Sequence, residues 1–141
     1  ARAVLAGEDW QASHPDLGQS IGEALLVAHR CYLSEFLKIR EQVTIRGIAH
    51  ITGGGITDNL PRILPDGLGA QIDSRNWDIP AIFEMIENMG DVSSSEMYRV
   101  FNMGLGLLFV VSQNDEQKVL NLLEDAFIVG EIVQGHGVQI V

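Results

Sequence analysis

Cysteine and basic residues are both scarce in this sequence of 141 amino acids. The single cysteine, Cys31, has no partner for an intrachain disulfide, which excludes a disulfide-stapled fold and fits a reducing compartment. Nine Lys and Arg residues stand against 19 Asp and Glu residues, giving a net charge of -10, and the basic residues are spread along the chain. Nucleic acids and anionic membranes both select clustered basic patches, so we expect neither as a partner.

Long apolar runs are also missing. The longest, residues 104–111, is far below the roughly 18 residues that a membrane-spanning helix requires. Glu8 and Asp9 interrupt the opening residues where a secretory signal would be apolar, and we therefore expect a cytoplasmic protein. The 46% hydrophobic and 20% charged content is typical of a globular chain, and the length predicts one domain, residues 1–141.

Helical and strand-like segments alternate along the chain. Apolar spacing and turn residues predict helices over residues 17–27, 58–64, 79–89, 93–101 and 115–123. They predict strands over residues 47–51, 68–72, 105–111, 127–133 and 138–141, and a short strand passing into a helix over 31–39. The run 105–111 is apolar on both faces, which is typical of a central strand covered on each side. The pattern predicts an α/β fold, a layered sandwich of a mixed sheet with flanking helices.

One segment, residues 49–65 with the sequence AHITGGGITDNLPRILP, carries the features of a binding site. A buried strand ends at Ile51, three glycines follow, and a helix is expected to begin near Asp58. Glycines let a ligand approach the backbone, and a helix N-terminus presents unpaired N–H groups, so Gly53, Gly54 and Gly55 could bind an anion without a basic side chain. Two readings stay open: an anion site, or a tight structural turn in which Asp58 caps the helix.

Histidines offer few further candidates. His50 precedes the glycines on the predicted strand, and it is either a hydrogen-bonded, half-buried histidine or a catalytic one. No spacing links His14, His29 and His136 as metal ligands, and we predict no metal site.

Three separate motifs resemble one enzyme family. Residues 49–65 look like a signature of phosphoribosylformylglycinamidine cyclo-ligases, also called aminoimidazole ribonucleotide synthetases. Upstream, HPDLGQSIGEALL (14–26) is similar to a helix of that family; downstream, SSEMYRVFNMGLG (94–106) is similar to its second signature and VGEI (129–132) to its closing strand. The sequence departs from the family at Ala28 and His29, where Pro-Thr is usual.

The resemblance covers only the C-terminal half of such an enzyme, truncated at its N-terminal edge. It implies an ATP-dependent ring closure in purine biosynthesis, from formylglycinamidine ribonucleotide to aminoimidazole ribonucleotide, in a homodimeric full-length protein. ATP and Mg²⁺ would be held by an N-terminal domain that this chain lacks, so the chain alone would hold no cofactor and be inactive. The implied residues are His50 as catalytic and Thr52, Gly53, Gly54, Gly55 and Asn59 as substrate- or phosphate-binding.

Two other functions remain open at this stage. The chain could be a free-standing ligand-binding or assembly module of the same fold. It could also belong to a related kinase, such as one acting on thiamine monophosphate or making selenophosphate, although the HITGGG and EMYRVFN segments favour the cyclo-ligase.

Overall fold

The computed structural model describes all 141 residues and confirms the α/β class. The helices are α1 (Ile21–Leu26), α2 (Leu33–Arg40), α3 (Gly55–Asn59), α4 (Ala81–Gly90), α5 (Ser94–Val100) and α6 (Glu116–Leu122). The strands are β1 (Ser13–His14), β2 (Gln19–Ser20), β3 (Gly47–His50), β4 (Leu68–Ile72), β5 (Leu107–Val110), β6 (Gly130–Gln134) and β7 (Gly137–Ile140). Short 3-10 turns occupy Leu60–Ile63, Ser74–Asn76 and Gln113–Asp115.

The strands form three small sheets rather than one. β4 lies between β6 and β7, antiparallel to β6 and parallel to β7, and this is the mixed sheet. β3 and β5 form a separate antiparallel pair, and β1 and β2 form a third. The prediction of a central strand at 105–111 is therefore wrong for this chain, because β5 has a partner on one side only.

Most of the buried apolar side chains belong to one core, which connects β3, β4 and β5 with α3, α4 and α5. Its fully buried members include Ile51, Ile56, Ile86 and Met97. A second, smaller cluster joins α2 to α6 through Ile39, Val43, Val119 and Leu123. The molecule thus has a main core below the glycine segment and a satellite core under α2.

Local capping explains where two helices begin. The Ser20 hydroxyl accepts the Glu23 N–H while the Glu23 carboxylate accepts the Ser20 N–H, a complete capping box. α1 therefore starts four residues later than predicted. Ser93 caps α5 in the same way, but the Glu96 carboxylate pairs with Arg99 instead of returning to Ser93.

The predicted strand at the start of 31–39 is absent. Residues 27–32 have no regular structure, and helix α2 begins at Leu33. An ion pair explains the path of this segment, because Arg30 reaches both Glu35 on α2 and Asp125 beyond α6. The contact between Arg30 and Asp125 joins residues far apart in sequence, so no local sequence pattern predicts it. None of the helices is long and apolar enough to cross a membrane.

Candidate functional site

The glycine loop follows directly on the end of β3. Gly54 adopts the left-handed conformation, with φ of 95°, and stands immediately before α3. Gly55 also has a positive φ, of 55°, and is buried where a Cβ atom would lie 1.9 Å from the carbonyl oxygen of Tyr98. The third glycine is thus required by the close packing of α3 on α5, whereas Gly53 faces open space.

The three glycines differ in what their N–H groups do. The Gly55 N–H donates to the Thr52 carbonyl at 3.0 Å and closes a turn. No protein acceptor takes the N–H groups of Gly53 and Gly54. Thr52 and Gly53 are exposed, so their polar groups are open to a ligand. The part of the loop available to an anion is therefore Thr52 to Gly54, and Gly55 serves the fold.

Asn59 braces the loop from below. Its side chain is buried, and its amide nitrogen donates to the carbonyl oxygens of Gly53 at 3.2 Å and Gly55 at 2.7 Å. Its oxygen accepts from the Arg62 guanidinium at 3.2 Å. These bonds fix the carbonyls on the inner side of the loop. The side chain of Asn59 thus orients the loop.

Asp58 does not cap the helix as expected. Gly54 is the N-terminal flanking residue of α3, and the Asp58 N–H donates to the Gly54 carbonyl within the helix. The Asp58 carboxylate lies beside Gly54, since a Cβ atom added there would be 3.2 Å from Oδ2. One negative charge therefore borders the loop. The Arg99 guanidinium, whose pKa is raised mainly by its hydrogen bond to Glu96, also interacts with Asp58.

His50 lies exposed at the end of β3 and is paired with a second histidine. Its Nε2 is 2.8 Å from Nε2 of His29, and the rings meet edge to face with centroids 4.8 Å apart. One ring must donate and the other accept, so at least one of the two is neutral in this arrangement. His50 is hydrogen-bonded, as the structural reading expected, but it is not half-buried.

Tyr32 packs between His29 and Gly106, next to His50. The His29 ring contacts it edge to face at 5.8 Å, and its hydroxyl occupies the place that a Cβ atom of Gly106 would fill. Gly106 thus allows the irregular segment 27–32 to lie against the start of β5. Sequence reasoning missed His29 and Tyr32 as neighbours of His50. The only available signal was the departure from the family pattern at His29.

Glu35 anchors the same segment through a strongly acidic carboxyl. A hydrogen bond from the Ser34 hydroxyl, then one from its own backbone N–H and the bond from Arg30, lower the pKa of Glu35 to about 2. The carboxylate is therefore charged at neutral pH and holds Arg30, one residue after His29.

No metal-binding cluster accompanies these residues. No three His, Cys, Asp or Glu side chains lie together, and two imidazoles fall short of the three or four protein ligands of a typical zinc site. At the end of β3, His50, Thr52 and Gly53 are exposed and Gly54 is half-buried, and these four residues form one exposed edge of the molecule. That arrangement could bind an anionic group and exchange a proton with it.

The helices and small mixed sheets define an α/β domain, and sequence comparison identifies the family to which it belongs. The chain belongs to the family described as AIR synthase related protein, C-terminal domain, which matches residues 1–141.

Curated relatives share one name. A phosphoribosylformylglycinamidine cyclo-ligase of Oceanobacillus iheyensis is 38% identical over 97% of this chain and 42% of its own length. The enzyme of that name in Carboxydothermus hydrogenoformans is 45% identical over 85% of this chain and 36% of its own length. The chain thus spans less than half the length of these relatives.

Solved structures of related fold agree with the α/β architecture. A thiamine-monophosphate kinase from Stenotrophomonas maltophilia matches 99% of this chain and 44% of its own, with a TM-score of 0.64 and 13% identity. The E. coli hydrogenase maturation protein HypE matches 77% of this chain and 35% of its own, with a TM-score of 0.59 and 17% identity. At these identities the likeness concerns the fold alone.

Proposed function

We propose that this chain is the C-terminal part of a cyclo-ligase that converts formylglycinamidine ribonucleotide to aminoimidazole ribonucleotide in purine biosynthesis. The observation that carries the proposal is the 38–45% identity to relatives of that name over 85–97% of the chain. The reaction joins an amidine-side nitrogen to the formyl carbon. The formyl oxygen leaves as phosphate after taking the terminal phosphoryl group of ATP, and ADP is released.

The exposed edge at the end of β3 would supply this chain's share of the active site. The N–H groups of Gly53 and Gly54 and the Thr52 hydroxyl would bind a phosphate or a developing oxyanion. Gly55 and Asn59 would hold the loop in shape through the contacts described above. The family resemblance implies that all five of these residues contact the ligand. We propose that only three do so and that the other two support the loop.

His50 would be the catalytic side chain of this edge. Its imidazole is exposed, and its Nε2 already shares a hydrogen bond with His29, so His29 would orient the ring and relay a proton to or from that nitrogen. ATP supplies the phosphoryl group when bound, with Mg²⁺, on the part of the intact protein outside these 141 residues. A homodimeric, cytoplasmic protein is part of the same proposal.

Genetic complementation tests the function and His50 together. The full-length gene should restore growth without purines to a bacterium that lacks its own cyclo-ligase. His50→Leu should lower kcat of the purified enzyme by about 100-fold or more, the usual contribution of a positioned acid or base. His136→Leu, which changes an exposed histidine between β6 and β7, is the matched control and should leave kcat unchanged.

The outcomes separate the alternatives. Failure of the intact gene to complement, with a folded product that still binds ligands, would favour a non-catalytic module. Complementation together with a normal kcat for His50→Leu would retain the cyclo-ligase and return His50 to a structural role.

A further inference from the structure

A cavity of about 510 Å³ lies where α3, α4, α5 and β7 meet. Its volume is within the range of small-molecule sites, about 300–1,000 Å³. The cavity is separate from the exposed edge at the end of β3, since neither His50 nor any of the three loop glycines lines it. The proposed function therefore makes no use of this cavity.

Hydroxyl groups and one carboxylate form the polar wall of the cavity. The lining hydroxyls come from Thr57, Ser74, Ser94, Ser95 and Tyr98. Glu87 supplies the carboxylate, and no Lys, Arg or His lines the cavity. The rest of the wall is apolar. A phosphate or carboxylate ligand would therefore find no positive charge here.

The Tyr98 hydroxyl is available to a ligand in this cavity. Only 6% of the Tyr98 surface is exposed, and its ring packs edge to face on Trp77. Its hydroxyl oxygen remains accessible, and no protein group bonds it with normal hydrogen-bond geometry; the nearby Ser74 hydroxyl donates to the Val141 carbonyl at 3.0 Å. Burial raises the pKa of Tyr98, and the Ser74 hydroxyl offsets part of this shift. The phenol therefore keeps its proton at neutral pH and can donate to a ligand or accept from it.

Glu87 places an unpaired negative charge at the same cavity. One of its carboxylate oxygens, Oε1, accepts from the Ser94 hydroxyl, whereas Oε2 has no protein donor. None of the ion pairs in the molecule involves Glu87. A cationic ligand could donate a charge-assisted hydrogen bond to the free oxygen, and such bonds are about twice as strong as neutral ones. The net charge of -10 also attracts cations to the molecule.

We propose that this cavity binds a small organic cation, a protonated amine or an amidine carried on an apolar body. The cationic head donates to the Glu87 carboxylate and to the Tyr98 hydroxyl. The body packs against the apolar part of the wall, which includes Ile79, Met103 and Ile140. This proposal does not depend on the proposed function.

Three probes of the same shape test the preference for a cation. Benzamidine, benzamide and benzoate share a phenyl ring, and their head groups are positive, neutral and negative. Titrated into the full-length protein, benzamidine should shift the backbone amide NMR signals of Ser95, Tyr98 and Ile140. It should bind about 10-fold more tightly than benzamide, and benzoate should not bind. Equal binding of benzamidine and benzamide, shifts confined to residues outside the cavity, or no shift at millimolar benzamidine would overturn the proposal.

Two substitutions test the contacts in the full-length protein. Glu87→Gln keeps an acceptor for Ser94 but removes the charge, and it should weaken benzamidine binding by about 10-fold. Tyr98→Phe removes only the hydroxyl and should weaken it by about threefold. Glu84→Gln, at an exposed position of the same helix outside the cavity, is the matched control and should leave the affinity unchanged. Unchanged affinity in the folded cavity variants, or an equal loss in Glu84→Gln, would mean that benzamidine binds only to the acidic surface, and the proposal would be wrong.

Discussion

At the scale of single residues, the three glycines of the loop perform three different tasks. Gly53 borders open space, Gly54 supplies a left-handed turn, and Gly55 lets α3 approach the Tyr98 carbonyl. In the sequence these three residues are identical glycines and cannot be distinguished. The difference lies in backbone angles and in a neighbour more than 40 residues away, neither of which a local pattern encodes.

Alanine substitution along the loop should therefore give a graded series. Gly53→Ala should leave the free energy of unfolding unchanged. Gly54→Ala should cost about 1–2 kcal/mol for its left-handed backbone. Gly55→Ala should cost about 3 kcal/mol or more, since strain and a backbone clash add. Urea denaturation followed by circular dichroism measures the series, and equal costs at all three positions would contradict it.

Gly53→Ala also separates binding from stability. If the free N–H groups of the loop bind anions, the new methyl group should weaken phosphate binding in the intact protein, measured by backbone amide shifts, while the stability is unchanged. Phosphate-induced shifts at Arg62 or Arg99, with silent amides at Gly53 and Gly54, would show that the loop is only a turn.

At the scale of elements, local patterns predicted much of the secondary structure. The strand at 68–72 has the predicted bounds, and β3 and α6 each fall within about one residue of theirs, because each is bounded by turn or capping residues close in sequence. The irregular segment 27–32 was not predictable. Its course depends on Asp125 and on the space at Gly106, contacts made only after the chain has folded.

The ion pair between Glu35 and Arg30, which holds segment 27–32, should persist to strongly acidic pH. In the unfolded chain Glu35 has a pKa of about 4.3, whereas in the folded protein the pKa is lowered to about 2. A lowered folded pKa means that the anchor's contribution is complete above the unfolded pKa and is lost as the pH falls toward 2. Side-chain carboxyl NMR shifts of Glu35 should therefore show a midpoint well below 4.

Two variants test which contacts hold the Glu35 carboxylate. Because the Ser34 hydroxyl and the Arg30 guanidinium both donate to the carboxylate, Ser34→Ala and Arg30→Gln should each raise the Glu35 midpoint. A midpoint near 4.3 in the unmodified protein, or an unchanged midpoint in either variant, would contradict this account.

At the scale of the whole molecule, the sequence indicated the α/β class, and its motifs indicated the family, but not how its sheets are divided. The candidate site shows the same limit. His50 and the glycine loop were predicted from a contiguous segment, whereas the pairing of His50 with His29 joins residues 21 positions apart. Patterns within one element are visible in sequence; pairings between segments depend on the assembled fold.

The isolated chain should form no ADP from ATP and formylglycinamidine ribonucleotide, while the full-length protein does. Under the proposed function, ring closure uses ATP and Mg²⁺, which we propose are held by the part of the intact protein outside these 141 residues. The net charge of -10 also opposes binding of an anionic nucleotide. A coupled ADP assay on both purified proteins measures this, with slow hydrogen exchange at the Ala70 amide as proof that the short chain is folded. Substrate-dependent ADP release by the pure 141-residue chain would show that these residues alone hold the nucleotide and carry out the reaction.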